Sequence, residues 1–314
     1  MRRIVKIIAM LVLIMAVLVA ITAKIRQVEK GDEAEALVVV TNFPAYDFVR
    51  AIIGKDTGIK MLIQPGVEIH TFEPTPQDII DIQNSNLFIY NGGESDEWVR
   101  GILGDVRDNG VKVVRMMEAV EVVQEECREG MECEDDVSDD DEHVWTSLRN
   151  VIKIIDKIKN ELVEIMPEKR EEFERNAEEY VEKLNKLDQE FKEVVDEGKR
   201  KVVIFGDRFP FSYFVNDYGL DYYAAFSGCS EQTEASSRTV AFLVDKVREE
   251  GVPVILKVEM SDGRIARAIA EETGAKVLEF NSVHNISMDE FRRGVTYAGI
   301  MTHNLGVLKE ALGE

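Results

Sequence analysis

Short apolar runs alternate with amphipathic, helix-like segments in two parts of the chain. The runs are four or five residues long and rich in Val, Ile and Leu, which is typical of buried strands, and helices are predicted between them. Strands that alternate with helices form parallel sheets. The pattern therefore predicts an α/β protein with two lobes, each built on a mainly parallel sheet. The strands are predicted at residues 37–41, 59–63, 87–90 and 111–114 in the first lobe and at 201–205, 222–225, 254–258 and 276–280 in the second.

A single long helix is predicted between the two lobes. Pro167 suits the first turn of a helix, Gly198 suits its end, and apolar residues recur between them at steps of three and four. About 30 residues at 1.5 Å each give a rod of roughly 45 Å. The repeat is too short to favour a coiled coil, so we predict a rigid helix (167–198) that joins a first lobe (37–166) to a second lobe (199–314).

The N-terminal segment is predicted to carry the rest of the chain across a membrane. A basic start, Met1 to Lys6, precedes an uncharged apolar run from Ile7 to Ala23. A secretory signal and an uncleaved anchor both fit, since the run is slightly short of the roughly 20 residues that span a bilayer. The poor cleavage site favours an anchor followed by a polar tether, with 1–36 as the whole segment. The lobes are then expected on the outer face of the cytoplasmic membrane, or secreted or periplasmic if the segment is cleaved.

Composition and charge narrow the classes of function. A chain of 314 residues exceeds the usual size of one core, which agrees with two lobes. The net charge of −22 would repel phosphate backbones, so nucleic-acid binding is not expected. Three cysteines with no CxxC pair indicate neither a disulfide scaffold nor a redox site. We expect a soluble, monomeric module outside the N-terminal segment.

An acidic segment, residues 125–142, holds eleven Asp or Glu and one Arg. Such a block of like charge predicts a solvated, mobile loop. It could serve solubility alone, or it could collect cations weakly through its carboxylates. Cys127 and Cys133 lie within it and could form a disulfide or remain free.

Histidine is rare in the chain, which makes the context of each one informative. His70, His143 and His284 lie on predicted loops close to helix starts, whereas His303 lies inside the last predicted helix and is interpreted as structural. Imidazole suits zinc, whereas all-oxygen sites suit calcium or magnesium. Spacing alone leaves open both a shared metal site and three unrelated surface histidines.

The contexts of two of these histidines resemble ligand motifs of the substrate-binding proteins of zinc and manganese ABC importers. Residues 65–76, with Pro-Gly followed by His70-Thr-Phe-Glu-Pro-Thr-Pro, are similar to the first ligand loop of that family. Residues 141–145, Asp-Glu-His-Val-Trp, are similar to its second ligand motif, which an acidic or His-rich loop often precedes. The resemblance extends in order from about Leu37 to Leu312. Further matching segments are 90–93, 213–214, 218–220, 234–236 and 272–277.

The resemblance implies a metal bound in the cleft between the lobes and four ligands. His70 and His143 would come from the first lobe. Arg208 aligns with the third family ligand, a histidine, but a guanidinium stays protonated and cannot bind a metal. Asp207 is then the expected substitute, with a salt bridge to Arg208 as its alternative role. His284 is expected to replace the last, acidic ligand, and Glu259 is the reserve candidate.

The resemblance further implies capture of a divalent metal outside the membrane and its delivery to an ABC permease. Three imidazoles and one carboxylate favour Zn²⁺ over Mn²⁺. Four protein ligands would leave no position for an activated water, so we predict a carrier and not an enzyme. Two alternatives remain: a surface adhesin that keeps the fold, or a secreted zinc hydrolase with Glu73 or Glu259 as base, for which the chain has no HExxH motif.

Overall fold

A computed structural model describes residues 38–54, 57–70, 72–133, 140–228, 230 and 234–313. The predicted anchor and tether, residues 1–36, lie outside the described residues. Among the helices that are described, none has the length and apolar character needed to cross a membrane.

The first lobe is a four-stranded parallel sheet in the order β2-β1-β3-β4. Half of its strand residues are β-branched and most are buried, as expected of strands that are covered on both faces. Helices cover both faces, and α2 begins at a capping box formed by Thr75 and Asp78. The elements are β1 (Val38–Val40), α1 (Phe43–Ile53), β2 (Ile59–Met61), α2 (Pro76–Asn84), β3 (Leu87–Tyr90), α3 (Leu103–Asp108), β4 (Lys112–Arg115) and α4 (Leu148–Ile165).

The second lobe repeats this topology in the order β6-β5-β7-β8, again with all strands parallel. In both sheets the chain passes to opposite sides of the first strand, so the crevice beyond the carboxyl ends of the strands is the expected ligand site. The elements are β5 (Val202–Phe209), α6 (Ser212–Tyr218), β6 (Asp221–Ser227), α7 (Ser237–Glu250), β7 (Val254–Lys257), α8 (Arg264–Thr273), β8 (Lys276–Glu279), α9 (Met288–Arg292) and α10 (Tyr297–Leu312).

The predicted α/β fold is confirmed, and each of the eight predicted strands overlaps an observed one. The largest difference is in β5, which continues to Phe209 through a register shift between Phe205 and Arg208. Gly206 lies at this shift, and a Cβ there would come within 2.5 Å of the backbone of Ala266 in α8. The glycine therefore permits close packing between helix and strand and does not end the strand.

The long helix is confirmed as a rod between the lobes. A 3₁₀ turn, Pro167–Lys169, leads into α5, Arg170–Glu197, whose 28 residues span about 42 Å. Helix α5 packs on α1 and α4 of the first lobe and on α10 of the second. Its buried apolar residues belong to a core that also includes residues of both sheets. The helix therefore connects the lobes through shared packing and is not a separate coiled coil.

The described part of the acidic segment packs against the second lobe, although the sequence predicted a solvated loop. Residues 124–133, here called the strap, cross to the edge of the second sheet, where the backbone N–H of Glu132 donates to the carbonyl of Ala225 at 2.9 Å. Arg128 pairs with Asp221 and lies 3.8 Å from the ring centre of Tyr222. The Glu132 carboxylate accepts hydrogen bonds at the start of α7. Individual pairing thus offsets the repulsion that the composition predicts.

A disulfide between Cys127 and Cys133 closes the strap, which resolves the alternative that the sequence left open. The double variant Cys127→Ser/Cys133→Ser is expected to lose about 2 kcal/mol of stability, because closing a short loop restricts the unfolded chain. Urea unfolding of oxidised and reduced protein measures this loss. The reduced parent should match the variant, and reductant should not change the variant itself. Equal stability of the oxidised parent and the variant would contradict the expectation.

Candidate metal centre

Three histidines from distant parts of the sequence meet in the cleft between the lobes. His70 lies on the loop between β2 and α2, His143 precedes the 3₁₀ turn Val144–Thr146, and His284 lies on the loop after β8. The ring centres are 6.3 Å apart for His70 and His143, 4.9 Å for His70 and His284, and 5.0 Å for His143 and His284. The three residues that the sequence grouped are therefore brought together. His303 is exposed on α10.

The Nε2 atoms of His70, His143 and His284 are all buried without a hydrogen-bond partner among the described residues. Leaving a buried polar atom without a partner costs about 1–3 kcal/mol, so three such atoms in one cleft require an explanation. A neutral imidazole that is protonated on Nδ1 offers a lone pair on Nε2 to a metal. The arrangement is suited to a transition-metal ion held by three imidazoles.

Asp141 fixes the orientation of His143. Its Oδ1 accepts from both the backbone N–H and the Nδ1 of His143, each at 2.8 Å. This bond keeps the Nδ1 proton in place and leaves Nε2 to the metal, an arrangement that commonly increases the basicity of a ligating histidine. The backbone carbonyl of Asp141 in turn accepts from Tyr213 of the second lobe at 2.6 Å.

Ser95 and Glu142 orient His70 in a similar way. The Ser95 hydroxyl donates to Glu142 and lies 3.0 Å from His70 Nδ1, which must then carry the proton and donate to Ser95. The other carboxylate oxygen of Glu142 accepts from the Ser95 backbone N–H at 3.1 Å. Gly93 makes this possible, because a Cβ there would come within 2.0 Å of the carboxylate. Sequence reasoning missed Ser95, whose nearest signal was the matching segment 90–93.

Glu142 joins the three histidines in a compact group of residues whose ligand atoms lie within 4.8 Å of one another. Its Oε1 is 3.5 Å from His70 Nδ1, on the side of the ring opposite to the unpaired Nε2. Both carboxylate oxygens are also engaged by Ser95. We therefore interpret Glu142 as the group that orients His70 rather than as a direct ligand.

Glu259, the reserve candidate, supports the loop that carries His284. Its carboxylate accepts from the backbone N–H and hydroxyl of Ser282, each at 2.7 Å, and from the backbone N–H of His284 at 3.0 Å. The loop includes Val283 at φ 60°, a conformation that a β-branched residue rarely adopts. Such local strain persists where surrounding contacts hold it in place. Glu259 thus holds the loop that positions His284.

The structure does not bring Asp207 into the histidine group. Asp207 is buried in β5, where Oδ1 accepts from the backbone N–H of Arg208 at 2.9 Å and Oδ2 accepts from that of Val258 at 3.4 Å. The ion pair of Arg208 is with Glu68 of the first lobe, at 3.8 Å, and not with Asp207. Asp207 therefore links β5 to the end of β7.

The three histidines differ in how easily they take up a proton. Burial lowers the pKa of His70 to about 3, and the charges of His143 and Arg208 act in the same direction. Burial also lowers the pKa of His284 well below 6.5. Burial opposes protonation of His143 as well, but the neighbouring carboxylates, Asp141 first and then Glu142 and Glu125, outweigh it and raise the pKa of His143 above 6.5. His143 is therefore the histidine at which protons compete with a metal near neutral pH.

Zinc affinity is expected to fall by about tenfold per pH unit once the pH drops below the raised pKa of His143, because a proton on Nε2 must leave before the metal binds. Titration calorimetry from pH 5 to 8 measures this dependence. In Asp141→Asn, which lacks the charge that raises the pKa, the decline should begin at lower pH. Identical pH profiles in the two proteins would contradict the assignment.

Known proteins with similar sequences are zinc-uptake and zinc-binding proteins, which agrees with the geometry of the site. The High-affinity zinc uptake system protein ZnuA of Bacillus subtilis (strain 168) is 32% identical over 289 residues, which cover 90% of this chain and 89% of that protein. The Zinc-binding lipoprotein AdcA of Streptococcus pneumoniae (strain ATCC BAA-255 / R6) is 28% identical over 286 residues, and the match spans 57% of its length.

Solved structures share the two-lobed architecture. The Zn(II)-bound ZnuA-like domain of Streptococcus pneumoniae AdcA superposes with a TM-score of 0.74 at 28% identity, covering 88% of this chain and 98% of that one. The laminin binding protein Lmb of Streptococcus agalactiae has the same fold, with a TM-score of 0.74 at 24% identity and coverage of 88% and 98%. The family model described as "Zinc-uptake complex component A periplasmic" matches residues 38–311. The chain therefore belongs to this family of zinc-uptake components.

Proposed function

We propose that the protein captures Zn²⁺ outside the cytoplasmic membrane and delivers it to the permease of an ABC importer. The observation that carries this proposal is the set of three buried Nε2 atoms that have no hydrogen-bond partner among the described residues. Membership of a family of zinc-uptake components supports it. Three imidazoles with no carboxylate among the direct ligands favour zinc over manganese. Family membership, and not a full set of four protein ligands, is what favours a carrier over an enzyme.

The proposed direct ligands are His70, His143 and His284. Glu142 and Glu259 orient two of them through hydrogen bonds. Asp207 contributes indirectly, because it fixes the backbone beside Arg208. The proposed location outside the membrane rests on the basic and apolar start of the chain and on the periplasmic description of the family.

Metal titration of the purified full-length protein, stripped with chelator, tests the carrier function. We expect one zinc ion per chain and weaker manganese binding. A protein that binds neither metal would refute the proposal, and adhesion to a protein partner that survives loss of His70 would favour the adhesin alternative. Delivery is tested by growth on limiting zinc of cells that depend on this chain and its permease, with His284→Ala as the inactive variant.

A second titration tests the ligand set. His284→Ala should weaken zinc binding more than Glu142→Gln or Glu259→Gln, because the first removes a ligand and the others remove its support. Asp207→Asn should have the smallest effect, since its oxygens accept bonds from the backbone N–H groups of Arg208 and Val258. An effect of Asp207→Asn as large as that of His284→Ala would assign Asp207 as a fourth ligand instead.

A further inference from the structure

Arg208 places a positive charge in the cleft that is proposed to bind Zn²⁺. It lies at the carboxyl end of β5, and Asp207 fixes its backbone N–H at 2.9 Å. Arg208 and His284 line the same cavity between the lobes. With Zn²⁺ bound, the three neutral imidazoles contribute no charge. The carboxylates of Asp141, Glu142 and Glu259 lie behind the histidines, and Arg208 adds a positive charge on the cavity side.

Zinc also requires more ligands than the three histidines supply. Protein-bound zinc almost always takes four ligands, whereas the proposed set has three. Glu142 makes two hydrogen bonds to Ser95 on the Nδ1 side of His70, and Glu259 is engaged by the His284 loop. Among the described residues, Asp207 is also outside the histidine group. With these carboxylates engaged in other hydrogen bonds, a water molecule or an anion from outside the set can supply the fourth ligand.

A cavity of about 180 Å³ borders His284 and is bounded by residues of both lobes. Arg208, His284 and Glu68 are among the residues that line it. A water molecule occupies about 30 Å³ in the liquid, so the cavity can hold a small organic anion. The neighbouring carboxylate of Glu68 is 3.8 Å from the guanidinium, and its side chain is 48% exposed, so this pair is loose and can separate.

We propose that Arg208 and the bound metal together hold a small carboxylate, which supplies the fourth ligand of the metal. This inference rests on the proposed function, because it requires zinc on the three histidines. A guanidinium presents paired N–H donors that match the geometry of a carboxylate. One carboxylate oxygen coordinates the metal, while Arg208 donates to the group from the cavity side. The protein then captures zinc together with an anion rather than as a bare ion.

The competing role of Arg208 is a simple latch, in which it pairs with Glu68 across the cleft. Two variants of the full-length protein separate these roles. In a latch, Arg208→Gln and Glu68→Gln remove the same interaction and should affect zinc binding alike. In an anion site, Arg208→Gln should remove the response to carboxylate, whereas Glu68→Gln should keep it.

Zinc titration with and without acetate, in a non-coordinating buffer with perchlorate as the salt, is the test. After correction for zinc acetate complexes in solution, saturating acetate should tighten zinc binding by roughly tenfold in the parent and in Glu68→Gln but not in Arg208→Gln. In the Co²⁺-substituted parent, acetate should also change the visible absorption spectrum, because it enters the coordination sphere. The same change should be absent from Arg208→Gln.

The outcomes distinguish this inference from the proposed function. One-to-one zinc binding that acetate does not alter would overturn the anion site and leave the carrier function intact. Equal acetate responses in the parent and Arg208→Gln would also overturn it. Acetate that binds the metal-free parent as tightly as the zinc-bound parent would contradict a site shared with the metal, and a parent that binds no zinc would refute both proposals.

Discussion

Replacing His143 with alanine is expected to lower zinc affinity by more than roughly 100-fold. Changing a residue that only orients a metal ligand commonly costs about 10–100-fold, and loss of the ligand itself should cost more. His143 is fully buried, so no water-exposed neighbour can move into its place without rearrangement. Burial alone would raise the pKa of Asp141, and the contacts with His143 lower it. The variant removes the imidazole and leaves this buried carboxylate without its partner.

Competition against a chelating dye measures this affinity over the necessary range. His303→Ala is the matched control, because His303 is an exposed histidine on α10 outside the proposed site. It should bind zinc as the parent does. Asp141→Asn should fall between the two, by about 10–100-fold, since it keeps the ligand and weakens its support. Parent-like affinity in His143→Ala would remove His143 from the ligand set and with it the shared site.

Zinc should stabilise the parent against unfolding and should not stabilise His143→Ala to the same extent. A ligand that binds only the folded state contributes RT ln(1 + [L]/Kd), or about 2.7 kcal/mol at 100 times Kd. The difference between zinc-loaded and metal-free protein therefore reports occupancy independently of the dye. Because the comparison is made within each variant, a general loss of stability in His143→Ala does not affect it.

The fold was predictable because its signals are local. The strands are runs of apolar residues that any flanking helix can cover, and the pattern at 37–41 and 254–258 needs no knowledge of partners. The start of α2 was equally readable, since a capping box depends on residues only three positions apart. Such features are set by sequence neighbours, and the structure confirms them.

The strap and the site depend on contacts that no local pattern encodes. Arg128 pairs with Asp221 across 93 positions, and Ser95 joins His70 to Glu142 across 25 and 47. Asp207 and Arg208 illustrate the limit most clearly, because adjacent strand residues point to opposite faces. The sequence alone could not decide between two alignments that differ by one residue. The alignment determines whether the carboxylate of Asp207 or the guanidinium of Arg208 is associated with the histidines.

Trp145 connects the metal centre to the packing between the lobes. It is fully buried, and its ring centre lies 5.6 Å from that of His143 and 5.4 Å from that of His284. Its Nε1–H donates to the carbonyl of Ser282 at 2.8 Å, and its own carbonyl accepts from Tyr297 at 2.7 Å. One side chain thus positions a histidine from each lobe.

Trp145→Ala is therefore expected to reduce the free energy of unfolding of the metal-free protein by about 3–5 kcal/mol, through a large cavity at the lobe junction. Trp145→Phe keeps most of the apolar packing but leaves the Ser282 carbonyl without its donor, at a cost of about 1–3 kcal/mol. Urea unfolding measures both. Zinc affinity should fall in the same order, because His143 and His284 lose their common support.

The other tryptophan provides the control for the hydrogen bond. The Nε1 of Trp98 is buried and has no partner among the described residues, so Trp98→Phe removes no bond and should be close to neutral or slightly stabilising. If Trp145→Phe were as stable as Trp98→Phe and bound zinc as tightly, the bond to Ser282 would not couple the lobes. If only Trp145→Phe weakened zinc binding, packing at the lobe junction would be shown to affect zinc affinity, because neither variant alters a metal ligand.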